Sequence, residues 1–184
     1  MMKRAAILLA LTACGYDATD DAIWRGTVVR DGGPPLAFVG FDPAPQQGYE
    51  FGGGIRSVGY LDDGDGKLLV EVTLHFADDD FERAMSRAFP IELAIKDAFQ
   101  LSETGMGIDF FEQPATNDPM AQTEQTFHHD FAQHQAGSAS GTFTVTACDY
   151  SSFMDGRLQA TVMDPSRGNI TRVLDLQVHY DATK

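Results

Sequence analysis

The sequence predicts a mainly β protein, an antiparallel β-sandwich built as one domain over residues 22–184. Three observations carry that expectation. Several runs alternate apolar and polar residues with a period of two, the signature of a strand with one buried face. Clusters of Gly, Asp, Asn and Pro punctuate the runs where the chain must reverse. A chain of 184 residues with 43% hydrophobic content and 13 phenylalanines has enough apolar mass for one core, and too little length for two ordinary domains.

In chain order, weaker strand patterns cover Ile23–Arg30, Leu36–Phe41 and Ile55–Leu61. The first strong one is KLLVEVTLHF at 67–76, where Leu68, Val70, Val72, Leu74 and Phe76 share a face against Glu71, Thr73 and His75. DDDFERAMSRAF at 78–89 changes period. Its acidic start suits a helix N-terminus, Phe81, Ala84, Met85 and Ala88 fall on one face, and Pro90 would stop it. A weak strand follows at Ile91–Ala98. MAQTEQTFHHDFAQHQ at 120–135 reads as a second short helix or a loop, ending before Gly137.

The remaining strands are strong. GTFTVTAC sets Phe143, Val145 and Ala147 against threonines, and GRLQATVMD sets Leu158, Ala160 and Val162 against Gln159, Thr161 and Met163. The last run turns Leu174, Leu176, Val178 and Tyr180 inward, with Asp175, Gln177 and His179 outward. DGGPP, DDGDG, MDG and DPSRGN supply turn chemistry between strands. Seven or eight such strands with one or two short helices fit an Ig-like or jelly-roll-like sandwich.

The opening segment has a separate logic. Lys3 and Arg4 precede a nine-residue apolar run, Ala5 to Ala13. A spanning helix needs roughly 20 apolar residues, so this run is too short to cross a bilayer and has the proportions of a secretory signal. Its end, Leu11-Thr12-Ala13-Cys14, resembles the lipobox of bacterial lipoproteins. The resemblance covers about 14 residues and does not extend into the domain. It implies that residues 1–13 are a signal peptide, and that the Cys14 thiol receives a diacylglyceryl group. It further implies cleavage just before Cys14 and acylation of the new amino terminus. Two or three chains give stable anchoring where one is marginal. In that family an Asp directly after the cysteine marks inner-membrane retention in many enteric bacteria; Gly15 stands here and points toward the outer membrane of the cell envelope. The polar stretch GYDATDD then reads as a tether, with Cys14, over residues 14–21.

Charge narrows the partners. The formal charge of −14 excludes a general attraction to nucleic acid or to anionic lipid headgroups, so the membrane contact is through lipid. A cleaved leader removes Lys3 and Arg4, leaving 11 basic against 27 acidic residues. With Cys14 committed to lipid, Cys148 has no intramolecular partner. Its place at the end of GTFTVTAC suits a small buried hydrophobe better than a reactive thiol or an intermolecular bridge.

Chemistry-bearing clusters are sparse. FHHDFAQHQ gathers His128, His129, Asp130 and His134; on a helix Asp130 and His134 share a face, a spacing open to a metal, although the stretch lacks an HExxH pattern. YLDDGDGKL offers Asp62, Asp63 and Asp65, with Asp78–Asp80, as a calcium candidate. In an EF-hand alignment, however, Leu61 and Val72 replace the first and twelfth ligands. A hairpin turn explains the same residues. GSASG places Ala139 where a nucleophile elbow needs Ser, and FGGGIRSVG lacks the helix of a phosphate loop. No catalytic residue and no cofactor is assigned. The expectation is a non-enzymatic envelope lipoprotein with a binding or structural role toward a protein partner or small ligand. The alternatives are a metal-binding protein or metal-dependent hydrolase, and a calcium-stabilised adhesion module.

Overall fold

The computed structural model describes residues 23–41, 55–62, 64, 67–76, 88–96, 106–116, 124–130, 138–149 and 153–181. Ten strands run through them: β1 (Ile23–Arg30), β2 (Pro35–Phe41), β3 (Ile55–Asp62), β4 (Lys67–Phe76), β5 (Ile91–Ile95), β6 (Met106–Pro114), β7 (Phe127–His129), β8 (Ala139–Asp149), β9 (Phe153–Asp164) and β10 (Ile170–Asp181). They form one sheet in the order β4-β3-β2-β1-β10-β9-β8-β5-β6-β7. The neighbours are antiparallel, apart from a parallel contact between β5 and β6 at Ile95 and Met106. β4 also pairs with β6, from Leu68 opposite Pro114 to Phe76 opposite Met106. The fold is therefore mainly β, with one large, mostly antiparallel sheet.

Alternation decides which face is buried. In β4 every second residue from Leu68 to Phe76 is buried, and β9 and β10 repeat the rhythm through Leu158, Ala160 and Val162 and through Leu174, Leu176 and Val178. Together with Trp24, Phe38, Phe110, Phe127 and Phe143 they make one continuous core. Removing such side chains from water, at ~25 cal/mol per Å2 of apolar surface, is the main driving force for the fold.

Two aromatic residues lie over glycines. A Cβ on Gly40 or Gly59, which face each other across β2 and β3, would sit 2.5 Å or 2.7 Å from the Phe38 ring. A Cβ on Gly156 would sit 2.6 Å from the Phe143 ring. MDG, expected as a turn, is thus part of β9, because Gly156 makes room for a ring and does not reverse the chain. The other expected turns hold where they are described. Asp31 (φ 49°) and Gly32 (φ 72°) link β1 to β2. Asp164 caps a 3-10 turn, Pro165–Arg167, that Gly168 closes in the left-handed region.

Three expectations change. Residues 127–129, inside the segment expected to be helix or loop, form strand β7 on the edge of β6. β6 itself was not anticipated. A bulge between Val145 and Ala147 shifts the end of β8, so Ala147 does not continue the buried row of Phe143 and Val145. Cys148 lies half-buried against the core. Among the described residues the only helical piece is the 3-10 turn, and no helix is long and apolar enough to cross a membrane. Residues 78–87 of the first expected helix, and residues 1–22 with Cys14, lie outside the described residues.

Candidate functional site

Two features stand out, one sealed and one open. The sealed one begins with a breach of the strand pattern. Glu112 follows Met106, Ile108 and Phe110 on the buried face of β6, and Arg172 precedes Leu174 on the buried face of β10. Each charge thus occupies a core position of its own strand. An isolated buried charge is very costly, so each must find its opposite. Arg172 Nε donates to Glu112 Oε1 at 2.7 Å and Nη2 donates to Oε2 at 2.9 Å, a bidentate pair with Glu112 0% and Arg172 1% exposed.

The remaining donor atom is also used. Arg172 Nη1 donates to Asp31 Oδ2 at 2.9 Å and to the Thr171 carbonyl at 2.8 Å. The guanidinium lies 4.4 Å from the centre of the Phe127 ring, a cation–π contact that also closes the cluster. Arg30 Nε stands 3.5 Å from Glu112 Oε2. Asp31 accepts from the Thr171 backbone N–H as well, at 2.8 Å. A turn Asp is therefore also an arm of the cluster.

Asp164, fully buried at the end of β9, works beside it. Its Oδ1 accepts from the Ser166 backbone N–H and hydroxyl, and its Oδ2 accepts from the His128 backbone N–H at 2.9 Å. Burial pushes this carboxyl up. The Ser166 hydroxyl, the two backbone N–H groups and nearby Arg167 outweigh it and hold Asp164 below the ordinary carboxylate range. One carboxylate thus caps the 3-10 turn and ties β7 to β9. Chemically the cluster is saturated: its charges are spent on one another, and it acts as a clamp between β1, β6, β7, β9 and β10.

The open feature lies on the other face of β4 and β6. Leu69, Glu71, Phe111, Gln113 and Gln125 line a depression of about 260 Å3. Glu71 faces Phe111 across the two strands, and Leu69 faces Gln113. Glu71 also pairs with Arg56 of β3 at 2.6 Å. The Phe111 ring packs against the His128 imidazole, with centres 4.7 Å apart.

The candidate metal ligands are distributed by the strand geometry. His128 and His129 are neighbours in β7 and therefore face opposite ways. His129 is buried with Nδ1 3.0 Å from the Met163 carbonyl, while His128 lies on the Phe111 side with Nε2 3.9 Å from Asp130 Oδ2. His134 lies outside the described residues. Asp62 ends β3 and accepts from the Gly64 N–H at 3.1 Å; Asp63, Asp65 and Asp78–Asp80 lie outside the described residues. Among the described residues no three His, Cys, Asp or Glu side chains gather as metal ligands.

Glu112, Arg172, Asp31, Asp164, Phe111, Gln113 and Gln125 were not anticipated as a site. One signal was available: a charge standing in the apolar phase of the last strand, at Arg172. No protein-family model matches the chain, and no curated protein or solved structure does.

Proposed function

We propose that this chain is a cell-envelope lipoprotein, held to a membrane through acylated Cys14, whose domain has a non-enzymatic binding or structural role. The observation that carries the reading is Leu11-Thr12-Ala13-Cys14 at the end of a short apolar run behind Lys3 and Arg4. Dual or triple acylation turns a strongly acidic, water-compatible domain into a membrane-held one, because each buried methylene adds ~0.8 kcal/mol of partitioning. The Gly15 that follows favours the outer membrane. A binding or structural role is supported by how the strongest charges are used: Glu112, Arg172 and Asp164 serve contacts within the fold.

The domain's sheet, in this reading, doubles back so that its two halves face each other as in a sandwich. Glu112 of β6 and Arg172 of β10 are not neighbours in the strand order yet meet side chain to side chain, which supports that arrangement. The test is metabolic labelling of cells producing the full chain with radioactive palmitate. Label should enter the protein, and Cys14→Ser should abolish it and release the protein from the membrane fraction. An unlabelled parent, or a Cys14→Ser variant that stays membrane-bound and labelled, overturns the proposal.

A further inference from the structure

The depression on β4 and β6 has a lining that selects one kind of ligand. Among the described residues that line it, three are polar: Glu71, Gln113 and Gln125. A purely apolar guest would take the two glutamine amides out of water without giving them partners. Charge disfavours anions, because the described lining carries Glu71 and no cation, Arg56 beside it is engaged by Glu71 at 2.6 Å, and the chain carries −14 overall. The same pair compensates Glu71 and leaves a lining without excess charge. An added peptide strand finds no place along β4, which is already paired on both edges, with β3 and β6.

A neutral ligand with an apolar face and many hydroxyls fits this lining. Each glutamine amide presents both a donor and an acceptor, which matches hydroxyl groups that also do both. Phe111 and Leu69 provide the apolar floor for the C–H face of a ring. Their positions are fixed by two directly facing cross-strand pairs, Glu71 with Phe111 and Leu69 with Gln113, and by the His128 ring beside Phe111. A rigid platform loses little entropy on binding. The volume of about 260 Å3 lies just below the ~300–1,000 Å3 typical of drug-sized pockets, room for about one sugar ring with its chain continuing into solvent.

We propose that this depression binds a single pyranose unit of a neutral glycan, with Phe111 as the stacking surface and Gln113 and Gln125 as the hydroxyl-binding groups. The test is titration of the full-length chain, in a detergent without a sugar headgroup, with maltotetraose, cellotetraose and tetra-N-acetylchitotetraose. Backbone and glutamine side-chain amide signals are followed by NMR. At least one glycan should produce saturable shifts centred on Leu69, Glu71, Phe111, Gln113 and Gln125. Gln113→Ala and Gln125→Ala should each weaken that binding by about tenfold, the loss expected for one or two hydrogen bonds. Phe111→Ala should remove it, and the two glutamine variants keep the test valid if that substitution unfolds the sheet. The proposal is overturned by no shifts with any of the three glycans at tens of millimolar. It is equally overturned by binding that both glutamine variants retain in full, or by preferential binding of an anionic oligogalacturonate.

Discussion

Arg172→Met is the sharpest probe of the fold, because it removes a charge from the core and leaves its partner behind. In the parent, Glu112 is 0% exposed and holds two hydrogen bonds from Arg172 at 2.7 Å and 2.9 Å. Among the described residues, its remaining charged partner in the variant is Arg30, 3.5 Å away and itself partly exposed. Breaking a buried pair on one side costs about 3–5 kcal/mol. The retained Arg30 places the expected loss near the lower end, about 3 kcal/mol. For a domain of this size that lowers the melting temperature by about 6–12 °C. Urea unfolding can be followed by fluorescence of Trp24, the single tryptophan, which is wholly buried. The double variant Glu112→Leu with Arg172→Met removes both charges and should recover most of the loss, because an apolar pair of similar size has no desolvation to repay. Asp31 stays exposed enough to be hydrated in either case, at 48%. A single variant within about 1 kcal/mol of the parent, or a double variant no better than the single, would refute the reasoning that a desolvated charge pair clamps β6 to β10.

The other expectations concern neighbouring parts of the same sheet. Asp164→Ala leaves the backbone N–H groups of His128 and Ser166 without their acceptor, and should cost about 1–3 kcal/mol. Because the folded Asp164 titrates below its ordinary range, its contribution is complete above about pH 4 and is lost as pH falls through the lower, folded value. The gap between parent and variant in urea midpoints should therefore close in strong acid, and a gap that widens there would contradict the assignment. Gly156→Ala puts a Cβ 2.6 Å from the Phe143 ring and should destabilise by about 1–3 kcal/mol in the same assay; no change would show that Phe143 moves freely. Arg157→Ala, which breaks the surface pair with Asp175 at 2.8 Å, should leave the midpoint unchanged, since exposed pairs contribute little. A resolvable loss would mean that the pair is part of something larger.

What the sequence shows of this fold depends on how local the signal is. β4 and β10 are readable because each carries its own alternation, and β1 and β4 run over the residues expected of them. β6 escaped because its buried row, Met106, Ile108 and Phe110, ends in Glu112, while Phe111 on the opposite face interrupts the polar row. A reader of that stretch sees two adjacent phenylalanines and a glutamate, which fit no period. The reason for the glutamate is Arg172, 60 residues further on, and no local rule reaches that far. β7 failed differently: three residues are too few to establish a period, and what holds them is the edge of β6, the Asp164 carboxylate and the burial of Phe127. The lining of the depression is hidden for a simpler reason. Leu69, Glu71 and Gln113 look like ordinary outward residues until the pairing of β4 with β6 brings them together.

The central claim is that this domain is anchored through one modified sulfur, and the N-terminal peptide of protein isolated from a membrane fraction tests it most directly. Mass spectrometry should find a peptide beginning at Cys14 and carrying a thioether-linked diacylglyceryl group, with residues 1–13 gone. A peptide that still includes residues 1–13, or that shows an unmodified thiol at position 14, would contradict it.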